Sequence, residues 1–225
     1  MYSFAQRTDT RVVDEPLYSH YLRVSGAEHP GRTEVLAWQD SNGARVVERV
    51  ILGPCEKPVV LFKQMAHHLV ELDRGFMAHT ANVILTRDPG EMLPSLAQNL
   101  ATPTLADTGY RAQCELYDQL VALGQEPTVL EAREILLDPR GVLTQLCGRL
   151  GLRFQERMLR WKPGSRPEDG CWAKHWYANV HTSTGFQTYK KKQAPFPRRL
   201  GPLLEECQPY YERLAALALK AEAAR

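Results

Sequence analysis

The residue types in the stretch Thr86-Arg87-Asp88-Pro89-Gly90-Glu91-Met92-Leu93-Pro94-Ser95 can build an anion site. The run Asn82 to Arg87 reads as a strand, so Arg87 stands at a strand's C-terminal end, where α/β folds place their ligands. Asp88 suits a helix N-cap, Pro89 the first helical position, and Glu91 the spacing of a capping box. A rigid strand-to-helix corner therefore holds Arg87, and Ser95 falls about two turns into the helix. A guanidinium offers a fork of donors matched to phosphate, and a serine hydroxyl adds another. The same pattern is also an ordinary helix start, so the motif alone leaves phosphate binding and a purely structural corner both open.

Short strands and helices must position these groups. Arg11-Val12-Val13-Asp14 is a brief apolar-centred run ended by Glu15-Pro16. Pro58 to Lys63, Asn82 to Arg87 and Pro127 to Glu131 are further strands, bounded by proline or by Asp88-Pro89. Continuous β-branched runs predict strands buried on both faces, as in a parallel sheet. Helical spacing predicts helices over 107–123, with Gly124 as C-cap, and over 139–150, with Pro139 at its start and Gly151 past its end. A long C-terminal helix is expected over 200–224, with a break near Pro209. Tyr2 to Arg7 reads as the last two turns of a helix. Strand–helix alternation predicts a three-layer α/β fold, a mostly parallel sheet flanked by helices, as a single domain over 1–225. Residues 25–45 and 162–197 break the pattern. The second stretch holds Trp172, Trp176 and the lysine run Lys190-Lys191-Lys192, close to Trp161. Such an aromatic-rich loop is either a lid over a site or a packed surface loop.

Composition narrows the class. The chain has 225 residues, 44% of them hydrophobic, enough for one sizeable core. No stretch approaches the roughly 20 apolar residues of a membrane span. The N-terminal residues lack the basic leader and apolar run of a signal peptide, which points to a cytoplasmic protein. The five cysteines are odd in number and without metal-ligand spacing, as expected of thiols in a reducing compartment. The seven histidines form no zinc motif, so no metal is implied. A net charge of +2 demands no nucleic-acid partner.

Four segments carry a resemblance. The pair Arg87 and Ser95 looks like the arginine and serine by which sulfotransferases hold the 3′-phosphate of PAPS, the adenylyl sulfonyl donor. The stretch Val129 to Pro139, with Leu143 and then Leu146 to Phe154, is similar to the strand, acidic turn, Asp-Pro helix start and Leu-Gly-Leu-x-Phe ending of that family. Val12 to Tyr18 and Phe62 to His68 are further matches. In order, they span nearly the whole chain and resemble most a bacterial sulfotransferase-like group found beside branched-chain aminotransferases. The resemblance implies the P-loop-NTPase-like sulfotransferase fold. It also implies an upstream strand and a Gly-Pro-Arg-Asn-x-Ser-Thr-type loop, so the chain reads as an N-terminally truncated domain. Ala132 stands where many sulfotransferases carry a tyrosine. The family's Arg-Lys-Gly motif is not present as such, and Lys190, with Lys191 and Lys192, is the substitute considered, against a plain solvated lysine face.

What the resemblance implies is transfer of a sulfonyl group from PAPS to a hydroxyl or amine of a small-molecule acceptor, without metal or membrane, in a chain free to form homo-oligomers. Such a reaction needs a base for the acceptor proton and positive groups for the leaving phosphate. Glu15 is the first candidate base, against a capping or salt-bridging carboxylate. His67, with its neighbour His68, is the second. Lys63 is the candidate for steadying sulfonate charge, against a snorkelling strand-end lysine. Arg87, Ser95 and Lys190 are the candidate donor-binding residues. The alternative is a non-catalytic sulfotransferase-like nucleotide-binding or interaction module. A kinase-like transferase is disfavoured, because no Gly-Lys-Ser/Thr loop is visible.

Overall fold

The computed structural model describes residues 1–191 and 194–222. The chain is α/β, and its described residues hold four short strands: β1 (Thr10–Asp14), β2 (Val59–Lys63), β3 (Val83–Thr86) and β4 (Thr128–Glu131). β1 pairs with β2 and β3 with β4, both in parallel. Parallel neighbours need a crossover between them. The helices Tyr18–Ser25 and Arg32–Trp38 lie on the first crossover, and Pro89–Leu96 and Tyr110–Ala122 on the second. The chain divides into two compact units. One comprises Met1–His79 and Gln155–Phe186, the other Thr80–Phe154 and Gln187–Arg225.

In the first unit, the register sets Thr10 beside Val59 and Asp14 beside Lys63. Asp14, and Glu15 just after it, therefore leave the sheet at the same end as Lys63. The core around Tyr18, Tyr21, Leu22 and Val35 is closed by Trp172, which is 1% exposed. A Cβ built at Gly170 would run into the Trp172 indole, so the chain's tight approach there requires glycine. Of the two readings of the 162–197 stretch, this part is packed. Trp172→Ala is expected to cost about 3–5 kcal/mol, read by denaturant unfolding, because it empties a filled site.

The second unit puts Thr86 beside Glu131, so the residues following β3 and β4 emerge together. Asp88 accepts from the Gly90 N–H at 2.7 Å and Pro89 opens the Pro89–Leu96 helix, as the sequence predicts. Asp138 likewise accepts from Gly141 N–H at 2.8 Å at the head of the Pro139–Arg149 helix. Leu93, Tyr110, Leu200, Leu203 and Cys207 form the core here.

Several expectations need correction. The expected 107–123 helix starts at Tyr110, because Gly109 takes a φ of +77° and separates it from the short Leu105–Thr108 helix. The C-terminal helix spans Gly201–Leu217 and runs through Pro209 without ending there. It stops short of 224 because Ala218 bridges to Val129 of β4 and Leu219 N–H donates to Val129 O at 3.0 Å. The open edge of β4 offers these residues strand hydrogen bonds in place of helical ones. Residues Ala223 and Ala224 of the expected helix lie outside the described residues. β4 is buried throughout, but β3 alternates, with Ile84 and Thr86 buried and Val83 and Leu85 exposed. Tyr2 to Arg7 holds a single 3-10 turn, Phe4–Gln6. The irregular 25–45 stretch contains the Arg32–Trp38 helix and the start of another, capped where Asn42 accepts from Arg45 N–H.

Candidate functional site

Glu15 follows β1 with a backbone that few residues adopt, at φ +37°. Three hydrogen bonds enforce it. Glu15 N–H donates to Lys63 O at 2.7 Å, and Glu15 O accepts from Tyr18 N–H at 3.0 Å and from the Gln39 amide at 2.9 Å. A non-glycine residue in this region costs on the order of 1–3 kcal/mol, and such strain persists only where its surroundings over-determine it. The result aims the buried Glu15 carboxylate at the Lys63 ammonium, which donates to its Oε1.

Lys63 is shared. Its Nζ also donates to the Tyr177 hydroxyl at 2.9 Å and lies 3.6 Å from Asp14 Oδ1. The Tyr177 hydroxyl is 2.9 and 2.8 Å from the two Asp14 oxygens. Two carboxylates thus meet one ammonium and one phenol in a largely buried place. Burial pushes the Glu15 carboxyl above its ordinary range, Lys63 opposes that shift, and the Asp14 charge adds to it. Burial, then the Glu15 and Asp14 charges, push the Tyr177 phenol up.

The adjacent histidines divide. His68 is buried, stacked at 4.9 Å on Tyr18 and at 4.7 Å on Tyr21, with Nδ1 3.9 Å from Glu15 Oε2. Burial, then the neighbouring His67, hold its pKa well below the usual value, so the imidazole is neutral. His67 instead lies edge-on to Tyr21 at 5.1 Å and to His68 at 4.8 Å. His68 Nδ1 is thereby brought near Glu15.

In the second unit, Arg87 is partly exposed, its side chain 43% accessible, with a guanidinium nitrogen 3.6 Å from Glu91 Oε2. Its backbone carbonyl accepts from the Tyr110 hydroxyl at 2.7 Å, which pins the corner. Tyr189 donates to Glu91 Oε1 at 2.7 Å, and the Arg133 guanidinium lies over the Tyr189 ring at 5.4 Å. Lys190 follows Tyr189 in the chain, and Ser95 lies in the helix that Arg87 precedes. Lys192 lies outside the described residues. A half-exposed guanidinium with one loose ion pair suits a phosphate, provided Glu91 yields.

Sequence reasoning named Glu15 and Lys63 as separate candidates through the resemblance and found the Arg87 corner from capping signals. It missed Asp14 and Tyr177 in the first group, and Glu91, Arg133 and Tyr189 as neighbours in the second. Asp14 had a partial signal, since it is the last residue of an expected strand, but the pairing that brings it to Lys63 had none. Tyr177 had none. Among the described residues, no helix is long and apolar enough to cross a membrane, and no three His, Cys, Asp or Glu side chains are grouped to hold a metal ion.

The first unit thus ends parallel strands in a carboxylate–ammonium pair, and the second sets a strand-end arginine before a capped helix. Residues 1–218 match the family described as sulfotransferase domain, and the chain belongs to that family. It is 41% and 37% identical, over 95% of its length, to the Arabidopsis thaliana branched-chain-amino-acid aminotransferase-like proteins 1 and 2. The chain spans 39% and 38% of the lengths of those two relatives. Among solved structures, it is similar to the sulfotransferase domain from the curacin biosynthetic pathway, at 12% identity and a TM-score of 0.42, covering 92% of this chain and 79% of that one. It is also similar to the sulfotransferase domain of the Synechococcus PCC 7002 olefin synthase, at 16% identity and a TM-score of 0.44, covering 88% of this chain and 92% of that one.

Proposed function

We propose that this chain is a PAPS-dependent sulfonyl-transfer domain acting on a hydroxyl or amine of a small-molecule acceptor in the cytoplasm. The observation that carries the reading is the buried Glu15 carboxylate held against Lys63 at the end of β1 and β2. PAPS would supply the sulfonyl group and a phosphate leaving group. Glu15 takes the acceptor's proton as the acceptor oxygen or nitrogen bonds to sulfur and the sulfur–oxygen bond to phosphate breaks. Lys63 faces the charge that moves in this step and keeps Glu15 oriented. His68, neutral and stacked on Tyr18 and Tyr21, lies beside the Glu15 side chain, its Nδ1 3.9 Å from Oε2. Arg87 holds a donor phosphate at its strand-end corner, with Ser95 and Lys190 as further donors.

The Arg87–Glu91 contact bears on nucleotide binding, which a second reading, a chain that binds nucleotide without transferring from it, shares. Glu91→Gln tests the phosphate site that both readings need. Removing the Glu91 charge frees Arg87 and is expected to tighten binding of 3′-phosphoadenosine 5′-phosphate about two- to fivefold, the scale of a partly exposed ion pair. Calorimetric titration reads this, and unchanged affinity in Glu91→Gln removes Arg87 from the phosphate site. The transfer itself is tested by incubating the chain with radiolabelled PAPS and a panel of phenol, alcohol and amine acceptors. Saturable nucleotide binding with no labelled product across the panel selects the binding-module reading.

A further inference from the structure

Tyr177 lies in the aromatic-rich stretch that the function above does not use, yet three polar contacts converge on its hydroxyl. Lys63 Nζ is 2.9 Å away, and the two Asp14 oxygens are 2.9 and 2.8 Å away. We propose that Tyr177 is a positioning residue that keeps Lys63 off Asp14 and so commits the ammonium to Glu15.

The chemistry of the donors fixes the direction of each bond. An ammonium has donors and no acceptor, so the Tyr177 oxygen accepts from Lys63. The single phenol proton is therefore free for Asp14, which also takes the Gly170 N–H at 3.4 Å. The Asp14 side chain is fully buried, and a buried carboxylate left without its donor is costly. The nearest ammonium is Lys63, already 3.6 Å from Asp14 Oδ1 and carried on a flexible four-carbon stem. Without the phenol, Lys63 closes that gap and leaves Glu15. The ring helps to hold the ammonium where it is, since Lys63 Nζ lies 5.2 Å from the Tyr177 ring centroid. The ring is itself anchored. Tyr177 N–H donates to Ala173 O at 2.8 Å and its carbonyl accepts from His181 N–H at 2.8 Å, between the short Ala173–Trp176 and Ala178–His181 helices.

The readout is the protonation of Glu15. The groups that face it are Lys63 from β2, Asp14 from β1, His68 from the Ala66–His68 turn, Tyr18 from the first helix and Tyr177 from the loop. The Met1 amine is near Lys63 and Asp14. Of these, Lys63 is the cation that opposes the upward push of burial on Glu15. Its departure moves the Glu15 midpoint further up.

Carboxyl-13C-glutamate NMR of the chain, with the Glu15 signal assigned by its loss in Glu15→Gln, measures that midpoint. Tyr177→Phe is expected to raise it by about one pH unit, the lower end of what a close opposite charge does to a carboxyl. On an Asp14→Asn background Lys63 has no competing partner, so adding Tyr177→Phe leaves the midpoint where Asp14→Asn put it. An unchanged midpoint in Tyr177→Phe, or a shift that persists on the Asp14→Asn background, overturns the proposal. If Tyr177→Phe alone loses the native amide spectrum, the comparison on the Asp14→Asn background decides. The proposal rests on the sulfonyl-transfer reading for its consequence in turnover alone, where the acid limb of the pH–rate profile moves with the midpoint. A wild-type chain without turnover sinks that reading and leaves the carboxyl titration to judge this one.

Discussion

Glu15→Gln is expected to slow sulfonyl transfer by about 10²–10⁴-fold while leaving nucleotide affinity unchanged. Glutamine keeps the shape and can still accept from Lys63, but it cannot take the acceptor's proton. The effect therefore falls on kcat, with the affinity for 3′-phosphoadenosine 5′-phosphate as the control. The pH dependence has a definite sign. Burial raises the Glu15 pKa above its ordinary 4.5, and the base works as the carboxylate. Turnover therefore rises with pH through that raised value, and its acid limb lies above the usual carboxylate range. Stability runs the other way for this group. A raised folded pKa favours the fold below the unfolded value near 4.5, and that contribution is lost as pH rises through the folded value. Glu15→Gln removes both dependences at once. Should His67→Ala abolish turnover while Glu15→Gln remains active, the base is His67 and the assignment to Glu15 fails.

Arg87→Ala is expected to weaken binding of 3′-phosphoadenosine 5′-phosphate by about 2–4 kcal/mol, or roughly 30- to 1,000-fold. The size follows from the bond type, because a guanidinium on phosphate makes charge-assisted hydrogen bonds, often two at once. Arg87→Lys keeps the charge and loses the fork, so it recovers only part of the affinity. Tyr110 hydrogen bonds the Arg87 carbonyl and not its side chain, so neither substitution disturbs the corner that holds the residue. Calorimetric titration of the three proteins side by side gives the ranking. Equal affinity for wild type and Arg87→Ala would place the phosphate elsewhere.

The strands were legible because each carries its own signal. Val59, Val60 and Leu61 follow Pro58, and Val83 to Leu85 run into Asp88-Pro89, so local propensity and punctuation agree. The caps at Asp88 and Asp138 were legible for the same reason, since a cap is a contact within three residues. The end of the last helix was not, because Ala218 exchanges helical bonds for an edge of β4 that lies far away in sequence. The break at Gly109 sat inside a sound apolar period, which records the face of a helix and not where it begins.

The residues of this chain by themselves determined a carboxylate and a lysine at strand ends, and an arginine at a capped corner. Those properties follow from side-chain type and from hydrogen bonds between near neighbours. Tertiary structure alone decided which groups meet. The β1–β2 register sets Asp14 and Glu15 beside Lys63, and the Ala66–His68 turn brings His68 to Glu15. Tyr177 reaches Asp14 across 163 positions of sequence. No periodicity or local propensity encodes such a contact, because it forms only when the burial of Trp172 draws its loop onto the core of β1 and the first helices.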